Sequence, residues 1–403
     1  MLMYMIKNGK INLPDLQQEI MNEKEQSYLK QHPYDIWQGS NGNWYTYLPD
    51  KEKGRVLKKR SSETKIRQLI IDYYKSKAPT LGEVFTEWAT DKLELEEIKK
   101  GTYDRYIRDF NRFFGDEKIK NLRFESIDED WLENFVKKSI VKEKLTRKSY
   151  CNLRLLLHGI FKRAKKKKLT QIDIVSFLKC LELSKNIFSK KIISKEEQVF
   201  SEDEIPKVIG YLEDNLDMVN LGLLLIFATG IRVGELAAIK PEDINGNMMH
   251  VQRTEICYVA EVDAKTGKTT NAYDIEEYPK SEAGDRYVVI PDESMWVIKR
   301  AREMNLCGEF LFMRHGERIK TFTYRKRIVS ACNALHIIPR SPHKIRKTYG
   351  TMLIDADVDE SVIIDQMGHN DINCTRQYYF YSNKNNNTKT QQINRAAIPM
   401  KTA

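Results

Sequence analysis

The sequence lacks the cysteine and apolar patterns of several protein classes. Its 403 residues include six cysteines, and none of them forms a Cys-x-x-Cys pair. This scarcity argues against a zinc site and a disulfide framework, and it favours a reducing compartment. No apolar run approaches a membrane span, and the six residues before Lys7 are too few for a signal-peptide core. We therefore expect a soluble, cytoplasmic protein.

Patterns that bind common cofactors are also missing. The sequence contains no Walker phosphate loop and no cluster of carboxylates that would hold magnesium. The sequence therefore gives no sign of a bound ATP, metal or other cofactor, and we expect none. Glu235 and Asp365 are expected to orient neighbouring arginines or histidines rather than to bind a metal ion.

Positive charge, in contrast, is abundant. The formal net charge is +10, the pI is about 9.0, and 41% of the residues are hydrophobic. Between Lys137 and Lys168 the chain has thirteen Lys or Arg residues and a single acid, Glu143. A solvated face usually carries charges of both signs, so this run favours contact with a phosphate backbone. The length predicts two or three domains.

The first part of the chain predicts a small basic module. Short alternating segments flank Asn41-Gly42, which is a hairpin signal, and a segment with helical spacing follows from Lys65. We assign residues 1–77 to this module, with its structured part at about 34–77. Its basic residues predict contact with DNA, and the candidates are Lys58, Lys59 and Arg60.

Four amphipathic segments with aromatic stripes follow and predict a helical domain over residues 80–182. Its basic outer faces predict backbone contacts with duplex DNA, which position a protein without specifying sequence. The candidate contacts are Arg147, Lys148, Arg154, Lys162, Arg163 and Lys165. A linker at 183–199, a larger domain at 200–384 and a polar tail at 385–403 complete the predicted division.

The larger domain holds the residues with chemical potential. A segment that is apolar nearly all round ends at Gly230, just before Arg232. His343 and Arg346, three residues apart, lie on one face of a predicted helix. His369 follows a helix-ending Gly368, and a tyrosine follows nine residues later, at Tyr378. Such cations can neutralise a phosphodiester while a phenol attacks its phosphorus.

The ordered set resembles the catalytic domain of the tyrosine recombinases, or phage-type integrases. The boxes that carry the resemblance are Thr-Gly-Ile-Arg-x-x-Glu-Leu around Arg232, His-x-x-Arg at 343–346, and Met-Gly-His at 367–369, where the family usually has Leu-Gly-His. The resemblance covers roughly residues 80 to 400. The whole chain is most similar to the integrases of conjugative transposons.

This resemblance implies a mainly α, multidomain fold. It would have an N-terminal arm-binding module of a small β-sheet plus a helix, a helical core-binding domain and a mixed α+β catalytic domain. It also implies a recombinase that cuts and rejoins DNA through a 3′-phosphotyrosyl intermediate, in both integration and excision. The implied partners are double-stranded DNA at core and arm sites, other copies of the chain in a DNA-bound tetramer, and an accessory excisionase or DNA-bending protein.

The resemblance also assigns roles to residues. Arg232 and Arg346 would bind the non-bridging oxygens, with His343 and His369 adding hydrogen bonds, and Tyr378 would be the nucleophile. Tyr379 is the second choice for the nucleophile and Tyr381 the third. The family's catalytic lysine lies just before the turn of a β-hairpin. We place that turn at Ser-Glu-Ala-Gly-Asp, 281–285, which selects Lys280 over its rivals Lys265 and Lys268.

Two other functions remain open. A type IB topoisomerase would use the same tyrosine and cations, and an architectural DNA-binding protein could carry a decayed catalytic set. The basic N-terminal module and the polar tail favour recombination over the first, and the intact set argues against the second. Covalent attachment to a nicked suicide substrate would separate an enzyme from a binding protein.

Overall fold

The computed structural model describes residues 25–26, 28–50, 53–190, 194–262, 269–277, 284–368, 384 and 387–391. The chain divides into two compact units: Met1–Ile98 with Arg105–Ser189, and Lys99–Asp104 with Lys190–Ala403. Helices dominate and the sheets are small, which confirms the predicted fold class. Among the described residues, no helix is both long and apolar enough to cross a membrane.

The N-terminal part of the first unit is a three-stranded antiparallel sheet covered by one helix. Its elements are β1 (Trp37–Gln38), β2 (Trp44–Asp50), β3 (Gly54–Arg60) and α1 (Glu63–Lys77). The predicted hairpin at Asn41-Gly42 joins β1 to β2, and Gly42 has the positive φ that this turn requires. Ile66, Ile70 and Ile71 of α1 are buried. The sheet-plus-helix arrangement therefore follows the prediction.

The rest of the first unit is helical. Its helices are α2 (Leu81–Glu94), α3 (Lys100–Phe114, in this unit from Arg105), α4 (Glu117–Lys120), α5 (Glu129–Lys142), α6 (Arg147–Lys166) and α7 (Ile174–Cys180), with 3₁₀ turns at Phe124–Ser126 and Lys185–Ile187. Thr80 and Glu83 form a capping box that starts α2. Phe85 stacks on Phe110 with ring centroids 3.8 Å apart. The aromatic stripes thus form the core of this unit, as their spacing predicts.

The second unit is built around one buried helix. Its helices are α8 (Glu204–Asp214), α9 (Met218–Thr229), α10 (Val233–Leu236), α11 (Met295–Met304), α12 (Thr321–Ala334), α13 (Pro342–Asp355) and α14 (Glu360–Met367), with 3₁₀ turns at Lys195–Glu197, Pro241–Asp243 and Asp292–Ser294. Nearly every residue of α9 is buried, as its unbroken apolar sequence predicts. The core around α9 includes Leu236 of α10 and Ile345 of α13, whereas Ile363 and Met367 of α14 pack in a smaller cluster beside α13.

Three small sheets accompany these helices. Their strands are β4 (Ile244–Asn245), β5 (Met248–Val251), β6 (Thr254–Val262), β7 (Thr269–Glu276), β8 (Arg286–Val289), β9 (Met313–Arg314) and β10 (Glu317–Arg318). The pairings are antiparallel: β4 with β5, β5 with β8, β6 with β7, and β9 with β10. The hairpin β6–β7 is therefore inserted between the paired strands β5 and β8.

The strand pairing is relevant to one prediction, the position of the catalytic lysine. We expected 281–285 to be a hairpin turn between two paired strands, but β8 pairs with β5, and β7 pairs with β6. Lys280 and its rivals Lys265 and Lys268 all lie outside the described residues, so the preference for Lys280 stays a prediction.

Candidate active site

The site begins where the buried helix α9 ends. Gly230 caps α9 in the left-handed region, with φ of 68°. A Cβ atom at this position would lie 2.2 Å from Cδ1 of Tyr349, so the close approach also requires glycine. The turn buries Ile231 and makes Arg232 the residue that precedes α10. Arg232 thus extends from the rigid core while its side chain stays 43% exposed.

Arg232 is fixed by one carboxylate and one carbonyl. Its Nη1 donates to Oε1 of Glu235 at 2.7 Å, and its backbone N–H donates to Oε2 of Glu235 at 2.8 Å. Its Nη2 donates to the carbonyl oxygen of Gly368 at 3.0 Å. The predicted orienting role of Glu235 toward an arginine agrees with these contacts.

The carboxylate of Glu235 is buried and stays charged. Burial alone would raise the pKa of Glu235, but the charges of Arg286, Arg232 and Arg346, with a hydrogen bond from Arg286, lower this pKa to about 2. Arg286 grips both carboxylate oxygens, with Nη2 2.9 Å from Oε2 and Nη1 3.2 Å from Oε1. Our reading of the sequence missed Arg286, because its partner is 51 residues away and no local pattern marks the pair.

Arg346 lies on α13 and is 1% exposed. Its Nη1 donates to the carbonyl oxygen of Gly230 at 2.7 Å, and its Nη2 donates to the carbonyl oxygen of Met367. Carbonyl oxygens orient a guanidinium without cancelling its charge, and arginine stays protonated at any ordinary pH. These two carbonyl groups therefore hold the positive charge of Arg346 in a fixed place.

Three arginines meet at the end of α14, one on each of three successive carbonyl groups. Arg286 Nε donates to the carbonyl oxygen of Gln366 at 3.2 Å, Arg346 binds that of Met367, and Arg232 binds that of Gly368. The last carbonyls of a helix have no partner within the helix and carry its negative dipole end. The sequence separates these arginines by up to 114 residues, and the fold places them at one helix end.

His343 is the third predicted catalytic residue that the structure describes. It lies in the first turn of α13, three residues before Arg346, and it keeps an exposed surface. Loss of water around the ring, and the charges of Arg346, Lys347, Lys344 and Arg232, lower the pKa of His343 to about 4. The imidazole is therefore neutral at pH 7.

The other predicted catalytic residues lie outside the described residues. His369 follows Gly368 directly, and Gly368 ends α14 in the left-handed region with φ of 59°. Tyr378, its alternatives Tyr379 and Tyr381, and Lys280 lie outside as well. The structure thus brings Arg232 and Arg346 to one helix end, places His343 on the helix that bears Arg346, and leaves the other assignments as predictions.

The predicted DNA contacts differ in how their charge is used. Most are exposed or partly exposed, on β3 or α6: Lys58, Lys59, Arg60, Arg147, Lys148, Arg154 and Lys162. Arg163, however, donates to Glu87 at 2.6 Å and to Asp91, and Lys165 donates to Asp173 at 2.7 Å. Acids within the unit therefore offset the charges of Arg163 and Lys165, which sequence spacing did not reveal.

Comparison with known proteins finds a matching family model and relatives for the region that holds this site. Residues 198–386 match the sequence model of the Phage integrase family. A tyrosine recombinase XerC-like protein of Caldanaerobacter subterraneus subsp. tengcongensis is 30% identical over 204 residues, which is 46% of this chain and 51% of that protein. Tyrosine recombinase XerD of Rickettsia bellii is 22% identical over 284 residues, 69% of this chain and 86% of that protein. The match to the first of these relatives thus spans about half of its length.

Solved structures share the fold at low sequence identity. The Tn1549 transposon integrase in complex with transposon right end DNA superposes with a TM-score of 0.59 at 15% identity, over 79% of this chain and all of that one, 100%. A lambda integrase dimer bound to a COC′ core site superposes with a TM-score of 0.54 at 16% identity, over 87% and 95% of the two chains. Both likenesses concern the fold.

Proposed function

Because this chain carries a domain of the phage integrase family, we propose that it is a tyrosine-type site-specific DNA recombinase. It cuts and rejoins DNA strands through a covalent bond between a tyrosine and a 3′ phosphate. The observation that supports this proposal best is the gathering of Arg232 and Arg346 on the carbonyls of Gly368 and Met367. Two fixed guanidinium groups suit a phosphodiester, which carries its charge on two non-bridging oxygens.

The chemistry proceeds as one exchange of phosphate esters. The phenolic oxygen of Tyr378 attacks phosphorus, and the bond to the 5′ oxygen breaks. Neutral His343 accepts the phenolic proton, which matters because a free phenol has a pKa of about 10. A lysine from the segments between β6 and β8 protonates the leaving 5′ oxygen, and Lys280 is our first assignment for it. His369 donates a hydrogen bond to the phosphate.

Arg232 and Arg346 contribute through fixed position. Carbonyl groups hold both side chains, and a carboxylate also holds Arg232, so we expect little reorganisation of either side chain when the phosphate binds. Donors that are preorganised around a developing charge typically contribute a factor of about 10² to 10³ each to the rate. The same charges hold the substrate strand in line for attack.

The first unit serves DNA binding in this proposal. The exposed basic residues of α6 contact the DNA backbone around the cut site, and the basic strand β3 binds a distant arm site. A tether to an arm site raises the effective concentration of the protein at the core site without new chemistry.

We propose that the active form is a DNA-bound tetramer, with an accessory excisionase or DNA-bending protein for excision. The lambda integrase tetramer bound to a Holliday junction, which superposes with a TM-score of 0.52, supports this assembly.

We infer that the DNA element that encodes this protein is a mobile one, of the conjugative-transposon type. The fold likeness to the Tn1549 transposon integrase extends over 79% of this chain and supports that assignment. The N-terminal sheet with its helix adds the small basic module that such an integrase needs in order to reach a second DNA site.

A nicked suicide substrate tests the proposed function. The wild-type protein is incubated with DNA fragments from the ends of the element that encodes it, each nicked so that a cut strand diffuses away. We expect a covalent protein–DNA adduct in the wild type and in Tyr379→Phe, and none in Tyr378→Phe, with normal DNA binding by all three. An adduct in Tyr378→Phe but not in Tyr379→Phe would move the nucleophile by one residue. No adduct in any of them would contradict the proposal.

A further inference from the structure

A second arginine, Arg286, binds the carboxylate of Glu235, which also binds Arg232. The side chain of Arg286 is 6% exposed, and its Nη1 and Nη2 donate to the two oxygens of Glu235 at 3.2 and 2.9 Å. It also donates to main-chain oxygens, from Nε to Gln366 at 3.2 Å and from Nη1 to Gly284 at 3.3 Å. Because Arg286 is buried and bonded within the protein, it acts on the site through Glu235 and not by touching DNA.

A side-chain amide keeps Arg286 in place. The amide of Gln366 joins the strand β8 to the end of α14: Val289 N donates to its Oε1 at 2.9 Å, and its Nε2 donates to the carbonyl oxygen of Val289 at 3.0 Å. Gln366 therefore pairs with Val289 as a neighbouring strand would. Arg286, three residues before Val289, is thereby held in register with the carbonyl groups that bind Arg346 and Arg232.

The charge balance gives Arg286 a specific task. If Glu235 had Arg232 as its sole cationic partner, the two would form a neutral pair, and the attraction of Arg232 for a phosphate would fall. With Arg286 present, a buried and bidentate counter-ion offsets the carboxylate, and one positive charge remains. That remaining charge belongs at Arg232, because Arg232 is the half-exposed member of the three groups.

We propose that Arg286 is a positioning residue of the recombinase: it neutralises Glu235, so that Glu235 can orient Arg232 while the charge of Arg232 stays available to the scissile phosphate. The inference rests on the proposed function. The inference goes beyond the proposed function because it assigns a role to Arg286, which does not contact DNA. It also assigns a role to the balance of charge among Glu235, Arg232 and Arg286.

Removal of the charge of Arg286, alone and together with that of Glu235, tests the inference. Single-turnover adduct formation is measured on a suicide substrate at saturating DNA, beside DNA affinity and the melting temperature. We expect Arg286→Gln to slow adduct formation about 10²-fold, as loss of a preorganised charge does, with DNA affinity within about threefold. Arg286→Lys keeps the charge but loses the bidentate grip, so its loss should stay within about tenfold.

The double variant Glu235→Gln with Arg286→Gln separates charge balance from packing. It lacks the carboxylate that would neutralise Arg232, so we expect adduct formation at least about tenfold faster than in Arg286→Gln, close to the effect of restoring one charged contact. A packing role predicts the reverse order, because the double variant loses more contacts. A double variant no faster than Arg286→Gln would overturn the inference.

A second buried ion pair provides the matched control. Arg318 and Glu255 are 11% and 0% exposed and pair within the same unit, and Glu255 also accepts a bond from Thr321 N at 2.9 Å. Arg318→Gln should lower the melting temperature as Arg286→Gln does. It should leave adduct formation within about threefold, because the surface of the site is not altered. An equal loss of rate in both variants would overturn the inference.

Two further outcomes are decisive. If Arg286→Gln does not fold, the double variant tests the inference instead, because it buries no uncompensated charge. An adduct-formation rate within about tenfold of the wild type supports the inference, and a larger loss overturns it. No adduct with the wild-type protein would overturn the proposed function and this inference together. A wild-type adduct with an equal rate in Arg286→Gln would overturn the inference alone.

Discussion

Two basic regions of this molecule use positive charge in different ways. At the end of α14, guanidinium groups are buried or half-buried and bind carbonyl oxygens at defined positions. Along α6, lysines and arginines are mostly exposed, and several pair with acids of the same unit. Fixed charge can act on one phosphate with defined geometry, whereas exposed charge attracts a DNA backbone and depends on salt. The first arrangement suits catalysis and the second suits binding.

The largest expected effect comes from the buried region. Arg346→Gln should slow adduct formation by about 10²- to 10³-fold, since it removes one fixed donor to the phosphate. DNA affinity at low salt should change little, because binding depends on many exposed charges. Single-turnover rates on the suicide substrate, beside affinity measured by fluorescence anisotropy, check both halves of this prediction.

Arg340→Gln is the control for Arg346→Gln. Arg340 is also buried, at 3% exposure, and also binds a carbonyl oxygen, that of Glu196, at 2.6 and 3.0 Å. Its loss should lower the melting temperature and leave the cleavage rate of the folded protein within a few-fold. If Arg340→Gln abolished cleavage as Arg346→Gln does, the effect would belong to buried arginines in general and not to the site.

The exposed region should respond in salt dependence. Lys162 and Lys166 are exposed and have no ion pair among the described residues, whereas Lys165 and Lys167 pair with Asp173 and Glu87. Lys162→Gln with Lys166→Gln should reduce the slope of log affinity against log salt by about 1.8, at about 0.9 for each phosphate contact on B-DNA. Cleavage at saturating DNA should persist.

Lys165→Gln with Lys167→Gln is the matched pair, with the same change in formal charge. Because acids already offset these lysines, we expect a smaller change in slope than for the first pair. Equal changes in the two double variants would show that the internal ion pairs open when DNA binds. No change in either would mean that this face of α6 is only solvated.

The smallest effect concerns the titration of His343. Its pKa of about 4 lies below the ordinary 6.5, so the folded state binds fewer protons than the unfolded state between these values. The free energy of unfolding should therefore fall as the pH drops through this window. His343→Gln should remove this part of the fall. Measurement of unfolding by denaturant between pH 4 and 7 compares the two proteins, and identical pH profiles would contradict the prediction.

Local patterns in the sequence predicted the elements well. The apolar run of α9 predicted a buried helix, Gly230 predicted its end, and Asn41-Gly42 predicted a hairpin. Each of these features depends on residues that are neighbours in the chain, and such features can be read from one sequence.

Long-range partners could not be read in this way. The hairpin β6–β7 interrupts the pairing of β5 with β8, and alternation alone gives the strands without their partners. No local pattern distinguishes Arg286 from other strand residues, because its partners Glu235 and Gln366 are 51 and 80 residues away in the sequence. Ordered sequence motifs predicted Arg232, His343 and Arg346. The balance of charge among Glu235, Arg232 and Arg286 could be seen only in the fold.

The central claim is that the fixed arginines serve a covalent exchange at phosphorus, and the most direct measurement is the identity of that bond. The wild-type protein is trapped on a suicide substrate and digested with protease and nuclease, and the modified peptide is analysed by mass spectrometry. We predict a nucleotide joined through its 3′ phosphate to Tyr378, with a free 5′ hydroxyl on the departing strand. A 5′-linked adduct, or a bond to a residue other than a tyrosine, would contradict the account.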